Sequence, residues 1–387
     1  MGLAKKNSIL LVTYMYMTTI LLLLKIIMKD ATLFYVEYLF LLLLISTALL
    51  INKFRIAKKV MIIIIFLIIL MLINIALVLY YPYVIPVVIN IVLYSFLPLF
   101  ILTSSEFDYQ IFMKMWEKFA IVFSLLFPLY WYLYMSKIAS YFDLGFYAHI
   151  NIVVLSYYFF IEKDRNVFSV LLIGMNFLIG IIIGSRMLLI SSIVTVVIMI
   201  LVLTKDKNIK HYIKIISSGA LLVVVFNNLE KILVEIQNIT QNYGIRSRNL
   251  NLFIAQLRGQ DIQELSSGRD GIYPLVIGYI KEHPILPSGL GVTRNLTNGQ
   301  FYHAHNFFME SLLTFGTLGS LLILIWIVYR FILLVRFKKY DEYKFTLFLI
   351  LSVAFLIRSL VGTYFLTDSF FLLAIGILMS KNVVKKK

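Results

Sequence analysis

The sequence predicts an all-α polytopic membrane protein, and three observations point to that class. Hydrophobic residues fill 61% of the 387 positions and charged residues only 14%, with a mean hydropathy of +0.94; no soluble core needs that much apolar side chain. The apolar residues come in continuous runs of span length, not in the two-residue alternation of a membrane barrel. Lys and Arg gather in every other connection between those runs, which is the distribution that orients transmembrane helices. At roughly 20 residues per span, the chain has room for about 12 helices and one modest polar segment.

Taken in order, the runs lie at about 8–28, 33–51, 60–80, 84–103, 118–135, 145–161, 167–184, 187–204, 212–229, 306–329, 345–361 and 366–380. The first is span-length and lacks a small-residue cleavage pattern, so it reads as a retained helix rather than a signal peptide. The fifth and sixth are interrupted by Pro128, Lys137 and Asp143. One set of connections carries Lys5, Lys6, Lys53, Arg55, Lys58, Lys59, Lys114, Lys118, Lys163, Arg165, Lys205, Lys207, Lys210 and Lys214. It continues with Arg330, Arg336, Lys338, Lys339, Lys344 and the basic tail Lys381, Lys385, Lys386 and Lys387. That set is expected to face the cytoplasm, with both termini inside and the protein multi-pass in a bacterial cytoplasmic membrane. The net charge of +16 is then an orientation signal, and no nucleic-acid partner follows from it. Cysteine is absent, which excludes disulfides, thiolate metal sites and thiol nucleophiles.

The expected organisation has three parts: spans one to nine over 1–229, an external loop over 230–302, and spans ten to twelve over 303–387. A loop of that length is usually functional. It holds Lys231, Arg246, Arg248, Arg258, Arg269, Lys281 and Arg294, with His283 and the pair His303 and His305 at its end. Arg186, in the turn Gly184-Ser185-Arg186, is expected on the same side. Within the loop, the apolar rhythm Ile272, Leu275, Val276, Tyr279, Ile280 fits a short amphipathic helix at the bilayer interface. Pro284 and Pro287 stop that helix, and Gly289 and Gly291 follow in a turn.

Arginine binds phosphate oxygens through a planar fork and stays charged at any pH. Imidazole titrates near pH 6.5 and suits a base that takes a hydroxyl proton. Diphosphate is the leaving group of lipid-linked sugar donors, and a glycosyl donor outside the cell must be lipid-borne. An external arginine-rich segment ending in two histidines therefore suits transfer of a glycan from a lipid diphosphate.

The chain also resembles a known family. His305-Asn306, nine residues, Gly316, two residues and Gly319 is the signature of the bacterial O-antigen ligase and polysaccharide polymerase superfamily. Ser267-Gly268-Arg269, the amphipathic helix, and Lys281-Glu-His-Pro-Ile-Leu-Pro-Ser-Gly-Leu-Gly291 resemble the family's second segment, with Tyr273 where Trp is common. Ser185-Arg186 resembles its upstream Ser-Arg. The resemblance implies a GT-C-like, inverting, metal-independent glycosyltransferase without a cofactor, working on undecaprenyl-diphosphate-linked oligosaccharide donor and acceptor among membrane lipids. A chain-length regulator protein would be a further partner. It also implies His305 as the base or acceptor-orienting residue and Arg269 and Arg186 as the clamp on the diphosphate.

The remaining candidates for substrate contact are Arg294, His303, Asn306, Glu310 and Arg358, and each has a structural alternative. His303 could orient its neighbour. Asn306 could cap the tenth helix. Glu310 could pair within the protein, since a carboxylate at membrane depth is costly unless partnered. Arg358 could pair with Asp368 or Glu310. Gly316 and Gly319 read as close helix packing. Asp30 and Glu37 flank the first external loop. Three functions stay open: polymerisation of lipid-linked repeat units into O-antigen or capsular polysaccharide, ligation of the glycan to lipid A core or another acceptor, and transport of a lipid-linked glycan. The near absence of charge inside the runs speaks against the last.

Overall fold

A computed structural model of the chain describes residues 2–24, 30–73, 84–104, 106–162, 166–204, 227–242, 248–260, 269–338, 341–360, 362 and 364–381. Most of the ninth expected run lies outside the described residues. So do Ser267, Gly268, Lys163, Arg165, Lys205, Lys207, Lys210, Lys214 and the tail lysines beyond Lys381.

Among the described residues, every regular element is a helix. Val84–Ser104 and Phe307–Arg336 are each long and apolar enough to cross a membrane. Leu3–Met15 with Met17–Leu24, and Tyr109–Leu125 with Phe127–Met135, pass the same test as bent pairs. The shorter apolar helices Tyr35–Ile51, Val167–Ile182, Leu189–Leu203 and Ser369–Met379 also coincide with expected runs. Two of the interruptions acquire a local reason. The fifth run breaks after Leu125, and Pro128 opens the helix Phe127–Met135, where its missing N–H costs nothing. Asp143 does not break the sixth run. It closes a capping box with Ser140 at the start of Tyr141–Phe160.

The chain forms two compact units. The first takes in Met1–Met15, Ala31–Met115 and Ser266–Lys387. Its centre is the helix Ser369–Met379, which packs along Val84–Ser104 and Glu342–Ser359. A Cβ on Gly376 would stand 2.6 Å from Leu102 Cδ1 and 3.3 Å from Pro98 O, so the two helices meet closely at this glycine. The end of that helix exposes carbonyls that its apolar sequence cannot satisfy. Basic side chains from two other helices do so: Lys59 Nζ donates to Met379 O at 2.7 Å and Arg330 Nε to Leu378 O at 2.6 Å, while Lys344 Nζ donates just past the helix to Lys381 O at 3.2 Å. Cations at a helix C-terminus also complement its dipole.

The second unit takes in Tyr16–Asp30 and Trp116–Leu265. Tyr141–Phe160 lies at its centre against Val167–Ile182 and Arg186–Leu203. Buried polar groups join these helices. His149 Nδ1 lies 2.9 Å from Ser192 Oγ, Asn151 Nδ2 donates to Asn176 Oδ1 at 3.3 Å, and Asn176 Nδ2 donates to Ser124 Oγ at 2.9 Å. Interhelical hydrogen bonds of this kind hold membrane helices together where the hydrophobic effect cannot. Two helices that the apolar runs did not reveal, Leu229–Asn242 and Arg248–Leu257, pack through Leu233, Leu250 and Ile254. The segment expected as one external loop is thus shared: these two helices belong to the second unit, and everything from Ser266 onward belongs to the first.

Candidate functional site

The residues around the histidine pair are built on a break in a helix. Phe307–Arg336 is continuous except at Gly316, where φ is 67° and ψ 176°, a conformation essentially restricted to glycine. An unbroken helix would bond Thr317 N to Leu313 O. Here both groups turn to the segment that follows His283. Thr317 N donates to Pro284 O at 3.1 Å, and Leu313 O accepts from Ser288 N at 2.9 Å and Gly289 N at 3.3 Å. The turn 284–289 thus fills the gap in the ladder. A Cβ on Gly316 would overlap the carbonyl oxygen of Ile285 and lie 2.6 Å from the carbonyl carbon of Leu286. Gly316 therefore serves this backbone-to-backbone approach and not the packing of two helices, which is what its spacing had implied. Ser320 Oγ donates to Ser311 O at 2.9 Å across the same break.

The short arm ahead of the break, residues 307–315, carries the histidine turn at its start. Asn306 is the N-cap, accepting from Phe308 N at 2.9 Å and Met309 N at 3.2 Å. His305 has a left-handed backbone, φ 54°, uncommon for a residue with a Cβ. Its amide donates to His303 Nδ1 at 3.1 Å, which requires that nitrogen to be unprotonated. The two imidazole centroids are 4.3 Å apart, and His303 lies parallel to Tyr364 at 5.7 Å. Burial, reinforced by the neighbouring His305, pushes the His303 imidazole down to about 3, so it is neutral at physiological pH.

Glu310 lies one helical turn beyond Asn306 and is 5% exposed. Its Oε2 accepts from Thr293 Oγ1 at 2.8 Å and from the Ala304 amide at 2.7 Å. Arg294, beside Thr293, places its guanidinium 5.4 Å from the centre of the Tyr302 ring. Tyr302 OH accepts from Asn90 Nδ2 at 3.2 Å, and Asn90 Oδ1 accepts from the Tyr38 hydroxyl. On the same helices, Tyr94 donates to Glu37. Arg358 binds Asp368 at 2.8 Å, and Asp368 in turn caps the helix Ser369–Met379 through Phe370 N and Phe371 N.

Of the residues singled out in the sequence, the fold thus gathers His303, His305, Asn306, Glu310 and Arg294 around one turn, and turns Arg358 toward Asp368. Arg269 opens the helix Arg269–Glu282 of the same unit, which packs against the broken helix. Arg186 opens the helix Arg186–Leu203 of the second unit. The side chains of both arginines lie outside the described residues. Tyr38, Asn90, Thr293, Tyr302 and Tyr364 join the histidine turn without having been singled out. An amide in the apolar run at Asn90 was the one available signal, since a polar side chain at membrane depth needs a partner.

Among the described residues, fold and site give an all-helical protein with two to four candidate membrane spans, whose titratable and basic residues gather where a broken helix meets a polar loop. Residues 168–324 match the family model described as O-antigen ligase. The match covers less than half of the chain and makes that segment similar to the O-antigen ligase family. It spans Arg186, Arg269, Arg294 and the histidine turn, and leaves out Arg358, Asn90 and Tyr38. No curated protein matches the chain.

Proposed function

We propose that this protein is a glycosyltransferase with about 12 transmembrane helices that polymerises undecaprenyl-diphosphate-linked oligosaccharide repeat units into O-antigen or capsular polysaccharide. The reaction takes place on the outer face of the cytoplasmic membrane. The terminal sugar hydroxyl of an incoming lipid-linked repeat attacks the anomeric carbon of the growing glycan. The new glycosidic bond forms on the face opposite the departing oxygen, the bond to the diphosphate breaks, and polyprenyl diphosphate leaves. His305 takes the hydroxyl proton, and His303, held neutral by burial, orients it. Arg269 and Arg186 stabilise the charge that develops on the leaving diphosphate, and Arg294 is a further substrate contact.

One observation supports this reading above the others. Within the stretch that matches the family model, the backbone holds His305 in a left-handed turn with its amide fixed on a second, neutral imidazole. A residue kept in an uncommon backbone conformation by its surroundings is a sign of a pre-organised site. The description of the matched family as an O-antigen ligase favours a second reading, transfer of the finished glycan to lipid A core or another acceptor.

Replacement of His305 by Ala in a complemented strain tests both. Loss of long chains with single-repeat material retained, at unchanged protein level, is the result expected of a polymerase. Polymer that is made but never attached is the result expected of a ligase, and in vitro transfer to a purified lipid A core acceptor confirms it. An unaltered length distribution removes His305 from the mechanism.

A further inference from the structure

Among the described residues, Glu310 is the one acidic side chain fastened directly to the histidine turn. Its Oε2 accepts from the hydroxyl of Thr293 and from the amide of Ala304. All three residues are buried, with Thr293 and Ala304 at 0% exposure. Ala304 is the residue between the two histidines. Its amide points inward to the carboxylate, and the next amide, that of His305, points to the His303 ring. Both N–H groups of the turn are therefore fixed, one by Glu310 and one by His303. The Thr293 bond ties the same carboxylate to the short helix Val292–Leu296, which carries Arg294. Glu310 itself stands on the arm that Asn306 caps and Gly316 ends.

We infer that Glu310 is a positioning residue: as a hydrogen-bond acceptor, it holds the His303–His305 turn and the Arg294 helix in register with the broken helix. The inference rests on the catalytic reading of His305. The position of His305 depends on the peptide of Ala304. Once its acceptor is gone, that buried amide has no partner, and the cost of leaving it so drives the turn to rearrange. The left-handed residue that follows is held besides by the bond of its own amide to His303 Nδ1. What the clamp requires is an acceptor of the right reach. It does not require a negative charge, because both donors are neutral.

That distinction gives the test. Gln at 310 keeps the reach and the acceptor oxygen and loses the charge; Asp keeps the charge and loses one methylene of reach. Each variant is purified in detergent as the full chain. Hydrogen–deuterium exchange is followed over the 301–307 segment, and transfer is assayed with a polyprenyl-diphosphate-linked donor. Glu310→Gln is expected to keep slow exchange at Ala304 and activity close to the parent. Glu310→Asp is expected to exchange faster there and to lose about a hundredfold in kcat, the size of effect a displacement near 1 Å produces, while KM for the donor is little changed. The reverse order, Asp active and Gln inactive, would mean that the carboxylate's charge acts in the chemistry and overturns the inference. Parent-like exchange at Ala304 in both variants overturns it as well. Exchange does not depend on the reaction, so a parent protein that transfers no glycan would defeat the proposed function and still leave Glu310 decided by the exchange result.

Discussion

Ser288 N donates to Leu313 O at 2.9 Å, taking the place that Thr317 N would hold in an unbroken helix. This bond explains why a proline-rich turn and a glycine 28 positions later belong to one device. The turn needs acceptors and donors to end on, and the helix needs partners for the groups that its break exposes.

The first prediction concerns Gly316. Any side chain there meets two obstacles: a backbone conformation open in practice only to glycine, and the carbonyl of Ile285 in the space a Cβ would occupy. Gly316→Ala should cost on the order of 3 kcal/mol or more. Its melting temperature in detergent should fall well below that of a control such as Gly174→Ala, where a Cβ would meet nothing within 4 Å. Exchange should rise at Ser288 and Thr317 together, since each lends the other its partner.

The second prediction is a pH dependence. In the folded protein the His303 imidazole is pushed down to about 3, whereas in the unfolded chain it titrates near 6.5. Above about pH 6.5 both states are neutral at this position, and its contribution to stability is fully present. As pH falls from there toward 3, the unfolded chain takes up a proton that the folded turn refuses, and stability is lost across that window. His303→Asn keeps an acceptor for the His305 amide and has nothing to titrate. Melting temperature against pH should therefore decline more steeply in the parent than in the variant between about pH 6 and 4. Parallel curves would mean that another group sets the acid limb.

Much of the architecture was legible because the bilayer imposes it. A run such as Val84–Ser104 has to be a helix if its backbone groups are to be satisfied without water. Asn306 was legible as a cap because a cap is a local event, an amide oxygen facing N–H groups two and three residues on. What stayed hidden was mostly non-local. Nothing near Gly316 in the sequence announces the turn 284–289, and nothing near Glu310 announces Thr293. Leu229–Asn242 and Arg248–Leu257 escaped for another reason. Their buried positions, Leu233, Leu250 and Ile254, are spaced among polar residues, so they give a stripe and not a run. Arg358 lay between the two cases: the sequence offered Asp368 as a partner, and the fold supplied the contact.

That pair carries the last prediction. Arg358 and Asp368 meet at 2.8 Å with side-chain exposures of 14% and 1%, so both charges are largely removed from water. Removing one partner of such a pair leaves the other uncompensated, at a cost of about 3 kcal/mol or more, whereas removing both costs much less. Asp368 also accepts from Phe370 N and Phe371 N, and Asn in its place would keep those bonds while losing the charge. Arg358→Met alone should therefore lower the melting temperature sharply, and adding Asp368→Asn should restore a good part of the loss. The activity of the double variant separates two roles for the arginine. If Arg358 only holds the end of Glu342–Ser359 against Ser369–Met379, the refolded double variant transfers glycan with an unchanged KM. If its guanidinium also touches the lipid-linked substrate, stability returns and KM stays high.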